Sequence, residues 1–235
     1  MGTSKSYIAP KNPQNTAAKR GITSNIHGGS VSTQEAVSRF ATAIKAENSA
    51  SVSNGHSTSA GSLKHYGQQI GKVLSFISGA SSSGGILNSI TQKYTANPPK
   101  NPHELFSRLL GEETIIGTLD GAVVETALFL TIEKLNIIEL SQLDAFDFPA
   151  FTKELFANLV MTCFEQRYAA QIQSKSVSLS QAESKLKEFK DYIYNAITAN
   201  IDISDINRCI ASNNDLSVYV ETKCIDIFSF LENYL

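Results

Sequence analysis

Chemistry in this sequence is concentrated at its start, Met1-Gly2-Thr3-Ser4-Lys5-Ser6-Tyr7. Gly2 is small enough for removal of the initiator methionine, which would leave a glycine α-amine at the mature terminus. An α-amine ordinarily has a pKa of about 7.7–8.0, against about 10.4 for lysine. Near neutral pH a useful fraction of it is unprotonated and nucleophilic, while Lys5 stays charged. Glycine puts no side chain beside that amine and lets the backbone thread a narrow pocket. Thr3, Ser4 and Ser6 add small hydrogen-bonding groups, and Tyr7 is the first aromatic ring. Such a start suits insertion into a partner's active site, with Gly2 as a modification site and Thr3, Ser4, Lys5, Ser6 and Tyr7 as a recognition tail. The plain alternative is an ordinary translational start. The residues also match M-G-x-x-x-[ST], with Ser6 in the required position, the pattern of N-myristoylation. One acyl chain binds membranes only marginally, and this reading falls away in a bacterial host.

No other residues compete as a reaction centre. The histidines are His27, His56, His65 and His103, and no Gly-x-Ser-x-Gly elbow, His-Glu-x-x-His pair or phosphate-binding loop accompanies them. The carboxylates Glu112-Glu113, Asp144 with Asp147, and Asp202 with Asp205 fall at expected helix ends, where they complement the helix dipole. Cys163, Cys209 and Cys224 are odd in number, widely spaced and set in apolar helical contexts, so they read as buried thiols. The expectation is a chain that is not an enzyme and needs neither cofactor nor metal. Lys5, Lys11, Lys19 and Arg20 could neutralise a few phosphates, with Tyr7 stacking on a base. There is no RGG repeat or dense basic cluster, so a solvated tail explains them more simply.

The elements that must position these residues are helical. The chain has 235 residues, 42% of them hydrophobic, and a formal net charge of −2 that exerts no general pull towards nucleic acid or membrane. Residues 1–31 contain Pro10, Pro13, Gly21, Gly28 and Gly29 with few apolar anchors, which predicts a flexible leader. Ser32 and Glu35 form a capping box ahead of Val37, Phe40, Ala41 and Ile44 at helical spacing. A linker over Asn48 to Gly61 precedes a helix capped by Ser62. Gly67 and Gly71 lie inside that helix, which predicts close approach of another backbone, and Gly79 to Gly85 ends it. Asn101 as cap, Pro102 at the first helical position and Gly111 past the end frame a three-turn helix. Further helices are expected over 118–137, from Asp147 and Pro149 to about Gln173, from the Ser180/Glu183 capping box, and from Ser204 and Asp215. The fold class is therefore all-α: a flexible leader (1–31), a helical and linker region (32–100) and a helical-bundle body (101–235). With no apolar leader segment and no run of about 18 apolar residues, a soluble, cytoplasmic protein is expected.

The start Met1-Gly2-Thr3-Ser4-Lys5-Ser6, followed by a Pro/Asn/Gly-rich leader, resembles the QatB family of the Qat antiphage defence system. The helix with Ser62-Leu63-Lys64-His65-Tyr66 and Gly71 looks like that family's Gly/His/Tyr-bearing helix, and the segment Gly79 to Gly85 agrees with it. The resemblance covers residues 1–90. The chain departs from it in having no Trp, where family leaders are richer in Pro and Trp. The resemblance implies an operon with an ATPase, a QueC-like (QatC-type) enzyme and a TatD-like nuclease. QueC-type enzymes activate a deazaguanine carboxylate with ATP and pass it to ammonia. The expectation is that the Gly2 amine replaces ammonia and becomes amide-linked to a 7-deazaguanine, with His65, Tyr66, Gly67 and Gly71 on a docking helix. Alternatives are a structural adaptor for the ATPase and nuclease, or a nucleic-acid sensor using the basic leader.

Overall fold

The computed structural model describes residues 12–53, 63–82, 84–111, 119–145, 147–212 and 214–233, and these contain no strand. The all-α expectation holds. In chain order the helices are α1 (Pro13–Ile26), α2 (Thr33–Ser53), α3 (Leu63–Ser82), α4 (Ile86–Lys93), α5 (Pro102–Gly111), α6 (Leu119–Lys134), α7 (Phe148–Lys175), α8 (Leu179–Asn200), α9 (Ile206–Ala211) and α10 (Leu216–Asn233). A 3-10 turn, Leu140–Ala145, precedes α7. Among the described residues no helix is long and apolar enough to cross a membrane.

The helices form two compact units, grouped by packing rather than by the expected division at residues 31 and 100. The first draws on Met1–Ser62, Val160–Ile201 and Cys224–Leu235, the second on Leu63–Leu159 and Asp202–Lys223. In the first unit α2 buries Val37, Phe40, Ala41 and Ile44 as its spacing predicts. The Phe40 ring meets Phe164, Tyr168 and Phe228 edge-on at centroid distances of 5.3, 5.9 and 5.8 Å. Each such pair adds about 0.5–1.5 kcal/mol beyond the area it removes from water. In the second unit Ile70, Leu74 and Ile77 of α3 are buried, as are Leu105 and Phe106 of α5, Val124 and Leu128 of α6, and Phe151 and Leu155 of α7. Asn158 donates to Thr131 Oγ1 at 2.9 Å and so satisfies a polar pair inside that core.

The helix starts divide into those that local chemistry specifies and those it does not. Glu35 N–H donates to Ser32 Oγ, Glu104 N–H to Asn101 Oδ1, Ala150 N–H to Asp147 Oδ1 and Ser217 N–H to Asp215 Oδ1. These four caps match the expected ones. The cap of α8 is Ser178, which accepts from Gln181 N–H, and not Ser180. Asp205, rather than Ser204, precedes α9. Two boundaries also move: α2 continues to Ser53 through the start of the expected linker, and α6 stops at Lys134. The expected Ser62 cap lies outside the described residues. Gly84 and Gly85, at φ +98° and +102°, turn the chain between α3 and α4 in a region that favours glycine.

The largest correction concerns the leader. Residues 13–26 are not part of a flexible tail but a helix packed on α2. Its inward side carries Ala18, Ile22 and Ile26, together with the buried Asn15, Gly21 and Asn25. Three aliphatic side chains are a thin stripe. The polar residues beside them are buried because each finds partners in the fold.

Candidate functional site

Gly2, Thr3, Ser4, Lys5, Ser6 and Tyr7 lie outside the described residues, and the described chain opens at Asn12, the cap of α1. Asn15 N–H donates to Asn12 Oδ1 at 2.7 Å and Pro13 occupies the first helical position. Pro costs nothing there, because that N–H has no partner within a helix anyway. One turn on, Asn15 Nδ2 donates to Glu47 Oε1 at 2.7 Å. The same carboxylate accepts from Arg167 Nη1 at 3.0 and 2.9 Å on its two oxygens. The Arg167 and Glu47 side chains are only 3% and 2% exposed. A carboxylate so buried is tolerable only when paired and hydrogen-bonded. The cluster therefore joins α1, α2 and α7 at one point.

Hydrogen bonds continue along α1 to its far end. Gln171 Nε2 donates to Lys19 O at 2.7 Å and to Thr23 Oγ1 at 2.9 Å. Lys185 Nζ donates to Asn25 Oδ1 at 3.3 Å, and Gln181 Nε2 to Ile26 O at 3.3 Å. Gly21 lies where an added Cβ would come within 2.9 Å of Arg39 Cδ, so the Arg39 stem passes directly over α1. The leader thus springs from a firmly seated helix. Sequence reasoning missed Asn15, Glu47 and Arg167 altogether; the signal available was Asn12-Pro13, the same cap-and-proline pair that marks α5.

The expected docking helix, α3, is turned inward where its glycines lie. A Cβ on Gly67 would sit 2.6 Å from Ser217 O, and one on Gly71 would sit 2.5 Å from both Ser217 Cα and Ser217 N. The predicted close approach of another backbone is real, and that backbone is α10 of the same unit. Tyr66, Gly67 and Gly71 are buried, so they form an internal packing contact and not an open docking face. His65 is half-buried, and its Nε2 has no hydrogen-bond partner among the described residues.

One cleft was not foreseen. It encloses about 490 Å³ and is lined by Asp205, Arg208 and Cys209 from α9 and its cap, and by Asp215, Val218 and Tyr219 of α10 and its cap. Tyr219 Oη donates to Asp205 Oδ1 at 2.7 Å, and Lys223 Nζ pairs with Asp205 Oδ2 at 3.0 Å. Burial pushes the Asp205 carboxyl up, but the hydrogen bonds from Tyr219 and Lys223 outweigh it and hold it below its ordinary value. Burial and the neighbouring Asp205 raise both the Cys209 thiol and the Tyr219 phenol. At neutral pH the cleft therefore holds a protonated thiol and a protonated phenol beside the Asp205 carboxylate, which is paired with Lys223, while the Asp215 side chain accepts Ser217 N–H. Asp202 lies in the turn between α8 and α9, where it accepts Ser204 N–H at 2.9 Å, and not at a helix end as expected.

Cys163, Cys209 and Cys224 are all buried thiols outside any disulfide, as their apolar contexts predict. No group of three or more His, Cys, Asp or Glu among the described residues is arranged to hold a metal ion. No family model, curated protein or solved structure matches the chain.

Proposed function

We propose that this chain is a non-catalytic component of an antiphage defence system, a protein substrate and partner of a QueC-like enzyme that acylates the Gly2 α-amine. The observation that supports the reading is the seating of α1. Because Asn12 and Asn15 are tied into the fold, Gly2 lies ten residues from a fixed point, a span of at most about 33–36 Å at 3.3–3.6 Å per residue. That is enough to enter a cleft in an enzyme docked outside the helical body. In the step itself the Gly2 nitrogen attacks the activated carboxyl carbon of a 7-deazaguanine. A C–N bond forms, the bond to the nucleotide leaving group breaks, and the amine gives up a proton. Selectivity for Gly2 over Lys5 follows from the lower ordinary pKa of an α-amine.

Intact-mass spectrometry of the chain co-produced with the QueC-like enzyme tests this. The expected result is loss of Met1 and a single added 7-deazaguanine acyl group, absent when Gly2→Pro is introduced or residues are added ahead of Gly2. An unmodified glycine terminus, with the enzyme demonstrably active on its own deazaguanine substrate, sinks the proposal. Defence that survives both changes favours a structural adaptor for the ATPase or nuclease.

A further inference from the structure

The two sides of α1 differ in more than burial. Its inward side is pinned by Glu47, Gln171, Gln181 and Lys185. Its outward side exposes Lys19 and Arg20, and neither cation has an ion-pair partner among the described residues. Some surface cations elsewhere pair within their own helix, as in Glu35–Arg39, Glu104–Arg108 and Lys185–Glu188. α1 has no such option. Residues 1–34 contain four cations and no Asp or Glu, while the rest of the chain carries 16 cations against 22 anions. A basic helix face, held rigid on an otherwise acidic chain, is complementary to a negatively charged surface.

We infer that the outer face of α1, through Lys19 and Arg20, docks on an acidic protein surface beside the cleft that receives Gly2. This rests on the reading of Gly2 as the acylated group and adds the element that sets its position. Two features favour it. α1 is already ordered by its buried bonds, so docking costs no folding of the helix. The register is also fixed: Arg20 lies eight residues along the helix from Asn12, about 12 Å at 1.5 Å per residue, so the acidic surface must lie within the Gly2–Asn12 span of the reacting carbon. Nucleic acid is the less fitting partner. Two neighbouring cations neutralise about two phosphates, far from the six to ten contacts that give strong, salt-steep binding.

The test uses the full-length chain carrying K19E/R20E, with wild type and K19R/R20K beside it and the QueC-like enzyme as the probe. Binding is measured against salt, and Gly2 acylation is followed by intact mass to separate KM from kcat. We expect K19E/R20E to raise Kd and KM about tenfold, with the salt dependence flattened, an unchanged melting temperature and near-normal behaviour of K19R/R20K. A wild type that is acylated, with Kd and KM unchanged in K19E/R20E, overturns the docking face while sparing the Gly2 reading. A wild type that binds but is never acylated, with binding weakened by K19E/R20E, does the reverse. Neither binding nor acylation in the wild type overturns both. If K19E/R20E instead abolishes binding to a 30-base-pair DNA duplex and leaves the enzyme's Kd unchanged, the face belongs to nucleic acid and the inference fails.

Discussion

Helices α1 and α5 both start on Asn-Pro, with the asparagine side chain accepting an N–H three residues on, at 2.7 Å in α1 and 2.9 Å in α5. From there they diverge. α5 carries its own means of support: Leu105, Phe106 and Leu109 on one face, and Glu104, whose carboxylate accepts Lys100 N–H and pairs with Arg108. α1 has no acidic residue in its first turn and buries two asparagines and a glycine beside three small or medium aliphatics. What it lacks locally is supplied from α2, α7 and α8 through Glu47, Arg167, Gln171 and Lys185. The contrast shows that a cap signal can be as reliable as an apolar stripe. Here it marks a helix whose buried face is largely polar.

The comparison breaks most severely at Arg167. Arg167→Leu leaves Glu47 buried without its cation, and should destabilise the protein by about 3–5 kcal/mol in chemical unfolding. Amide exchange should quicken along α1, although α1 itself is unchanged in sequence. The double variant Glu47→Leu/Arg167→Leu should recover part of that loss, because no unpaired charge remains. In α5 a comparable effect needs a change within the helix. Leu105→Ala should cost about 2–5 kcal/mol through lost burial and a residual cavity.

Cap removal sharpens the contrast at a smaller scale. Asn12→Ala and Asn101→Ala should each cost about 1 kcal/mol. Fraying, read by amide exchange of the first turn, should be confined to α5 for Asn101→Ala. For Asn12→Ala it should stop at Asn15, where the bond to Glu47 holds.

The smallest difference is in acid. The Lys100 backbone N–H and the Arg108 guanidinium hold the Glu104 carboxyl below its ordinary value. Its folded-state pKa is depressed, so its support for α5 is present above the ordinary carboxylate range and lost as pH falls through the lowered value. α1 has no acidic residue in its first turn to titrate. An NMR titration from pH 6 to pH 2.5 should show first-turn shifts in α5 that Glu104→Gln abolishes. Persistence of those shifts in the variant would refute the assignment.

How much was legible follows the same physics. Helices α2, α5, α7 and α10 were readable because Ser32, Asn101, Asp147 and Asp215 announce them and an apolar periodicity follows. Gly67 and Gly71 also signalled a tight crossing, but the spacing could not say whose backbone would fill it. The answer, Ser217 of α10, lies about 150 residues further along the chain. The cleft between α9 and α10 was invisible for a related reason. Asp205, Tyr219 and Lys223 become a network only when the fold brings their side chains together, with Val218 left 58% exposed at the cleft wall.

By itself the sequence determined the all-α class, most helix starts and the buried thiols. These rest on local chemistry: capping geometry, helical period and the properties of a residue type. Only the tertiary structure decided that residues 13–26 are a helix, that the α3 glycines face inward, and which face of α1 is free. The reason is that a buried Asn, Glu or Arg has no hydropathy signature. Whether it sits inside depends on a partner supplied from a distant helix, and for Asn15, Glu47 and Arg167 that partner exists only once α1, α2 and α7 have met.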